Sequence, residues 1–111
     1  MKSTDVSCLC GAVKIRLVGK PLAQFYCDCD DCRAVHGAAF VPVAMFRSES
    51  VSVTQGEPAT WIYKTLPRTR CDICGMQLFA VVPGTGFTGV KGNLLPKGMF
   101  RPRLGRDGVR A

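Results

Sequence analysis

The sequence predicts a mainly β, single-domain protein, and three observations lead there. The chain has 111 residues, enough for one hydrophobic core and too few for two. Turn-forming residues recur about every ten positions, the spacing of short strands joined by tight connections. The segments between them are short and apolar or alternating, and none shows a long helical period.

Residues 13–17 (VKIRL) alternate apolar and basic side chains, as a half-buried strand does. Gly19-Lys20-Pro21 turns the chain into a second strand at residues 22–27. Asp30 is placed to cap one short helical turn through Cys32 and His36, which Gly37 would end. Residues 40–46 (FVPVAMF) read as a strand, with Pro42 assigning it to a sheet edge. Residues 51–54 and 61–64 read as two more strands, separated by the turn at residues 55–58. Residues 68–71 lead into a tight CDICG turn. A strong strand at residues 76–82 and a weaker one at 87–90 follow. From Pro96 onward the chain is rich in Gly, Pro and Arg, and little regular structure is expected. Residues 1–95 are thus read as the domain and 96–111 as a basic tail.

Composition narrows the class. A hydrophobic content of 47% argues against disorder. No segment approaches the length of a membrane span. The first residues lack the apolar run of about 7–15 residues of a signal peptide, so a cytosolic protein is expected. Seven cysteines in such a chain point to metal or redox chemistry rather than a disulfide framework, and an odd count would leave one thiol over. The formal charge is +7. Seven thiolates would remove seven charges and two zinc ions would return four, leaving +4. Part of the basic excess therefore reads as counter-charge, which weakens a nucleic-acid reading.

The cysteines form three groups: Cys8-Leu9-Cys10, then Cys27/Cys29/Cys32, then Cys71-Asp72-Ile73-Cys74-Gly75. Residues i and i+2 of an extended chain face the same side, so a CxC pair can offer two thiolates to one ion. A CxxC pair at a tight turn does the same. Gly75 can take the left-handed conformation that turns the chain away closely. Two partitions are possible. Cys29/Cys32 and Cys71/Cys74 could share one zinc, leaving Cys8, Cys10 and Cys27. Alternatively Cys27/Cys29/Cys32 hold one ion and Cys8/Cys10/Cys71/Cys74 the other. Short loops are the easiest to close, which favours the second partition. It also yields one closed four-ligand site, the usual structural type, and one three-ligand site that can keep a position for chemistry. Two zinc ions per chain are expected.

CLCGAV at residues 8–13, CDCDDCRAVHG at 27–37 and RCDICGMQLF at 70–79 together resemble the glutathione-dependent formaldehyde-activating enzyme family, which includes centromere protein V-like proteins. The resemblance runs from about Ser7 to Leu95. It implies a β-tent of small antiparallel sheets held by zinc, with a structural zinc on Cys8, Cys10, Cys71 and Cys74. It also implies a catalytic zinc on Cys27, Cys29 and Cys32. In the namesake enzyme the reaction joins glutathione and formaldehyde into S-hydroxymethylglutathione, a carbon–sulfur lyase-type reaction. The tail, ending GRDGVRA, is shorter than is usual for that family.

The expected function is therefore zinc-dependent carbon–sulfur lyase chemistry on a thiol adduct, with glutathione as the small-molecule partner. The alternative is a non-catalytic zinc-binding interaction module that binds nucleic acid through Lys91, Lys97, Arg101, Arg103, Arg106 and Arg110. A solvated tail is the simpler reading of those six. His36, four residues after Cys32, is the candidate to close the three-cysteine site, although a lone histidine there more often faces solvent. Asp28, Asp30 and Asp31 are expected to point away from an anionic thiolate cluster. Arg33, Arg68 and Arg70 flank the cysteine motifs, where they could bind substrate carboxylates or balance thiolate charge. Phe25, Tyr26, Phe40, Phe46, Trp61, Tyr63 and Phe79 are expected in the core, some of them lining a pocket.

Overall fold

The computed structural model of the chain describes residues 2–102. It is mainly β, as expected, with one helix and two antiparallel sheets. The smaller sheet has the order β1-β2-β5, formed by β1 (Ser3–Ser7), β2 (Lys14–Val18) and β5 (Val51–Gln55). The larger has the order β3-β4-β9-β8-β7-β6. Its strands are β3 (Ala23–Cys27), β4 (Val41–Arg47), β6 (Ala59–Tyr63), β7 (Leu66–Arg70), β8 (Gln77–Val82) and β9 (Phe87–Lys91). The helix α1 (Asp30–His36) follows β3.

Alternation in β2 works as its sequence demands. Ile15 and Leu17 are fully buried while Lys14 and Arg16 face water. The core lies between the sheets. Val6, Ile15 and Leu17 of the small sheet meet Ala44, Phe46, Leu78 and Val90 of the large one, and Leu94 and Leu95 close the cluster. Met99 and Phe100 pack against it, and the Phe100 ring sits edge-on to Tyr26 at 5.7 Å. Arg101 N–H donates to Gln24 Oε1 at 2.7 Å, so residues up to Arg101 lie on the domain. Arg103, Arg106 and Arg110 fall outside the described residues.

Three local expectations are corrected. The strand containing Pro42 is not an edge. β4 lies between β3 and β9, and Pro42 is tolerated because the β9 ladder begins one residue later, at Val43↔Lys91. The helix is capped by Cys29 rather than Asp30: the Cys29 Sγ accepts from Cys32 N–H at 3.4 Å. A thiolate at that position serves the free N–H groups as an aspartate would. Phe40 precedes β4 and is exposed, although its ring meets Tyr26 at 5.3 Å. Gly37 does end the helix in the left-handed conformation, at φ 62°.

Candidate metal centres and an adjoining cavity

Each cysteine group sits where a strand ends. Cys8 and Cys10 follow β1 on the small sheet; Cys71 and Cys74 lie between β7 and β8 on the large one. Their four Sγ atoms lie within 4.8 Å of one another. Cys8 and Cys10 are 3.6 Å apart and Cys10 and Cys71 3.7 Å. A zinc ion with Zn–S bonds of about 2.3 Å has a tetrahedral S–S edge of ~3.8 Å, so the group has the dimensions of a four-thiolate cage. Backbone amides point at the sulfurs: Val13 N–H at Cys8, and Ile73 and Cys74 N–H at Cys71, each at 3.4 Å.

The charges are arranged for a cation. Burial opposes ionisation of Cys8, yet the Val13 N–H and its three neighbouring thiols bring its pKa down to about 6. The Ala12 N–H favours a Cys10 thiolate, but burial and the thiols of Cys8, Cys71 and Cys74 push it up to about 11. Thiols this close cannot all ionise unaided, and a dication between them removes the repulsion.

Cys27, Cys29 and Cys32 form the second group, also with Sγ atoms within 4.8 Å of one another. Cys27 ends β3, and Cys29 and Cys32 sit at the start of α1. Cys27 and Cys29 are 3.4 Å apart, again near the edge of a thiolate cage. Burial pushes the Cys32 thiol up to about 12, reinforced by Cys27 and Cys29. All seven free cysteines thus gather into these two groups, each of a size that could hold a metal ion.

His36 does not join this group. It neither ligates nor faces solvent. Its half-buried ring accepts from the ammonium of Lys91, Nε2 to Nζ 3.2 Å. Burial, then the charges of Lys91 and Arg68, lower its pKa to about 4, so it is neutral near pH 7. Asp31 points away from the sulfurs, as expected, to Lys64 at 2.8 Å. Lys64 occupies the β6–β7 turn at φ 58°, so this pair ties α1 to that hairpin.

Beside the three-cysteine group lies a cavity of about 140 Å³. Cys27, Cys32 and His36 stand at one side of it. Its floor is one face of the large sheet, where register aligns Met45, Gly89, Ala80 and Arg68 across four strands. Gly89 and Ala80 are the smallest of that row, and their size leaves the space. Phe25, Val43 and Leu66 add apolar walls. Two cations enter this apolar space: Arg68, 5% exposed, and Lys91, 8% exposed. Arg68 Nε is buried with no hydrogen-bond partner among the described residues. Burial lowers the Lys91 pKa to about 8, while Cys32 and Cys27 favour its charge.

Lys91 is therefore not part of a solvated basic tail. It ends β9 and is buried at the cavity, against His36. Lys97 and Arg101 are exposed. Of the three arginines beside cysteine motifs, Arg68 alone lines the cavity; Arg33 and Arg70 face water. Among the aromatic residues, Phe46 is core, and Phe25 and Phe79 reach the cavity.

Among the described residues no helix is long and apolar enough to cross a membrane. No curated protein matches the chain. A crystal structure of a Rhodobacter sphaeroides protein shares the fold, with a TM-score of 0.69 at 23% identity, over 85% of this chain and 89% of that one. The sequence model described as "Glutathione-dependent formaldehyde-activating enzyme" matches residues 3–104. With that match spanning nearly the whole chain, the protein belongs to the glutathione-dependent formaldehyde-activating enzyme family.

Proposed function

We propose that the chain is a zinc-dependent carbon–sulfur lyase-type enzyme that joins a thiol such as glutathione to formaldehyde or a related small carbonyl compound. Cys8, Cys10, Cys71 and Cys74 would hold a structural zinc, and Cys27, Cys29 and Cys32 a catalytic one. The observation that carries this reading is the different setting of two thiol groups of suitable dimensions. One includes the buried Cys8 and Cys71 of the core; the other borders a cavity. Zinc at the three-cysteine group would supply a Lewis acid that favours the thiolate form of a thiol.

The chain's own residues supply the rest. The apolar walls exclude water from the reacting carbonyl. Lys91 places positive charge where the carbonyl oxygen becomes negative as sulfur adds to carbon. The neutral His36 accepts from Lys91 and holds that ammonium in place. Seven free thiols fit a reducing compartment, so the proposed location is the cytoplasm.

The test combines metal analysis with exchange spectroscopy of formaldehyde and glutathione. Protein purified without chelator should carry two zinc ions and accelerate adduct formation. Cys29→Ser should carry one and lose the acceleration. A zinc-replete protein that leaves the exchange rate unchanged for formaldehyde and for larger aldehydes refutes the enzyme reading.

A further inference from the structure

The cavity holds more than formaldehyde requires. A one-carbon neutral molecule needs no arginine, and it would fill little of a space of about 140 Å³. Apolar cavities of about 150 Å³ take a six-carbon ring. Arg68 is 5% exposed, and its Nε has no partner among the described residues. A buried guanidinium carries five donors in a planar fork shaped for a carboxylate. Burying a charged donor without an acceptor is costly, so the Arg68 Nε–H, in a mostly apolar lining, points to a ligand with an anionic oxygen.

Building on the enzyme reading above, we propose that the carbonyl reactant is a small oxo acid: an aldehyde or ketone that also carries one carboxylate. The carboxylate pairs with Arg68. A short hydrocarbon body lies over Gly89 and Ala80. The carbonyl reaches towards the side lined by Cys27 and Cys32. In the reaction a thiol adds across the C=O bond. A carbon–sulfur bond forms, the C=O π bond opens, and the thiol proton ends on the former carbonyl oxygen. Nothing is oxidised or reduced.

A second source of the same carboxylate chemistry is glutathione itself. The lining argues against it. Among the described residues no acidic side chain borders the cavity, so the ammonium of the glutamyl end finds no partner there. The mostly apolar walls also offer little to peptide groups.

The experiment compares reactants of equal chain length, 4-oxobutanoate and butanal, with one thiol and the zinc-loaded protein. Wild type should prefer 4-oxobutanoate by at least tenfold in kcat/KM, mainly through KM. Arg68→Gln should bring the ratio near one, and Arg68→Lys should restore part of it. Equal use of the two aldehydes by wild type overturns the proposal, and that comparison stands even if both variants fail to fold. Activity with neither aldehyde nor formaldehyde instead overturns the enzyme reading. Binding of benzoate and of benzyl alcohol, followed by the fluorescence of the single Trp61, separates the site from the chemistry. Trp61 is the cross-strand partner of Arg68. Benzoate should bind at least tenfold tighter, and equal binding or none at millimolar concentration counts against the site. Displacement of benzoate by S-methylglutathione would assign the carboxylate to the thiol and overturn the oxo acid.

Discussion

His36 shows how a single side chain reads differently in sequence and in structure. Four residues after Cys32 it has the spacing of a ligand, yet its ring turns to Lys91, 3.2 Å away. Spacing along a helix fixes the face and not the partner, and here the partner comes from β9, 55 residues on. As the only histidine, it can be followed by proton NMR without assignment work. Its folded pKa of about 4 lies below its ordinary 6.5 because burial and then two nearby cations disfavour the charged ring. A depressed pKa means that the folded chain favours neutral imidazole. The associated stability is present above pH 6.5 and is lost as pH falls towards 4. Lys91→Met should raise the His36 pKa, since it removes one of those cations. A wild-type midpoint near 6.5 would show that the ring does not stay packed on Lys91 in solution.

At the level of elements, the glycine turns were the most legible. Gly37 and Gly75 both adopt positive φ beside the motifs that announced them. β2, β8 and β9 were visible from alternation or apolar runs. β1 was not, because Ser3, Asp5 and Ser7 are polar and only Val6 is buried. It exists through its antiparallel pairing with β2, a partner that local pattern does not reveal. Pro42 misled for a related reason: proline excludes a residue from one ladder, not a strand from the interior of a sheet. The segment after β5 yields a sharp prediction. Gly56, at φ +86°, starts the crossing from the small sheet to β6 of the large one, and an added Cβ would lie 2.3 Å from the Ala12 carbonyl oxygen. Gly56→Ala should cost about 2–3 kcal/mol, combining φ strain with a backbone clash. Gly37→Ala, at φ +62° but with open space around it, should cost about 1 kcal/mol. Urea denaturation of both variants checks the order; equal losses would place the cost in φ alone. Asp31→Ala, which breaks an exposed pair between α1 and the β6–β7 turn, should change stability by less than about 1 kcal/mol in the same experiment.

For the whole molecule, the cysteine groups were readable and the cavity was not. CxC and CxxC spacings are local and carry their chemistry in the sequence. Arg68 and Lys91 reach one cavity because β9, β8 and β7 are neighbours in one sheet, and register sets the small Gly89 and Ala80 in line with Arg68 and empties the floor. The arginine was flagged by its nearness to Cys71, but its burial was not. The proposed division of labour between the cysteine groups predicts unequal variants. Cys74→Ser breaks a cage that includes the buried Cys8 and Cys71 and should leave little soluble protein or lower Tm by more than 10 °C, on the order of 2 kcal/mol or more. Cys29→Ser touches an exposed sulfur outside the core and should keep a cooperative transition within a few degrees of wild type. Thermal melts with parallel zinc analysis decide, and equal loss in both variants would reject the division.

The four-cysteine group also bears on how the chain is born. Its two arms, Cys8/Cys10 and Cys71/Cys74, are each local in sequence, but each adjoins a different sheet, and Cys10 and Cys71 lie 61 residues apart. With zinc as the ion between them, the sheets would dock in a step that consumes a solute from outside the chain. Refolding would then speed up with free zinc until the ion is saturating, after which the chain alone sets the pace. During synthesis the first arm would leave the ribosome long before the second, and would wait for it as an open chelator. The cell's zinc supply would thereby act as a clock on the maturation of this protein.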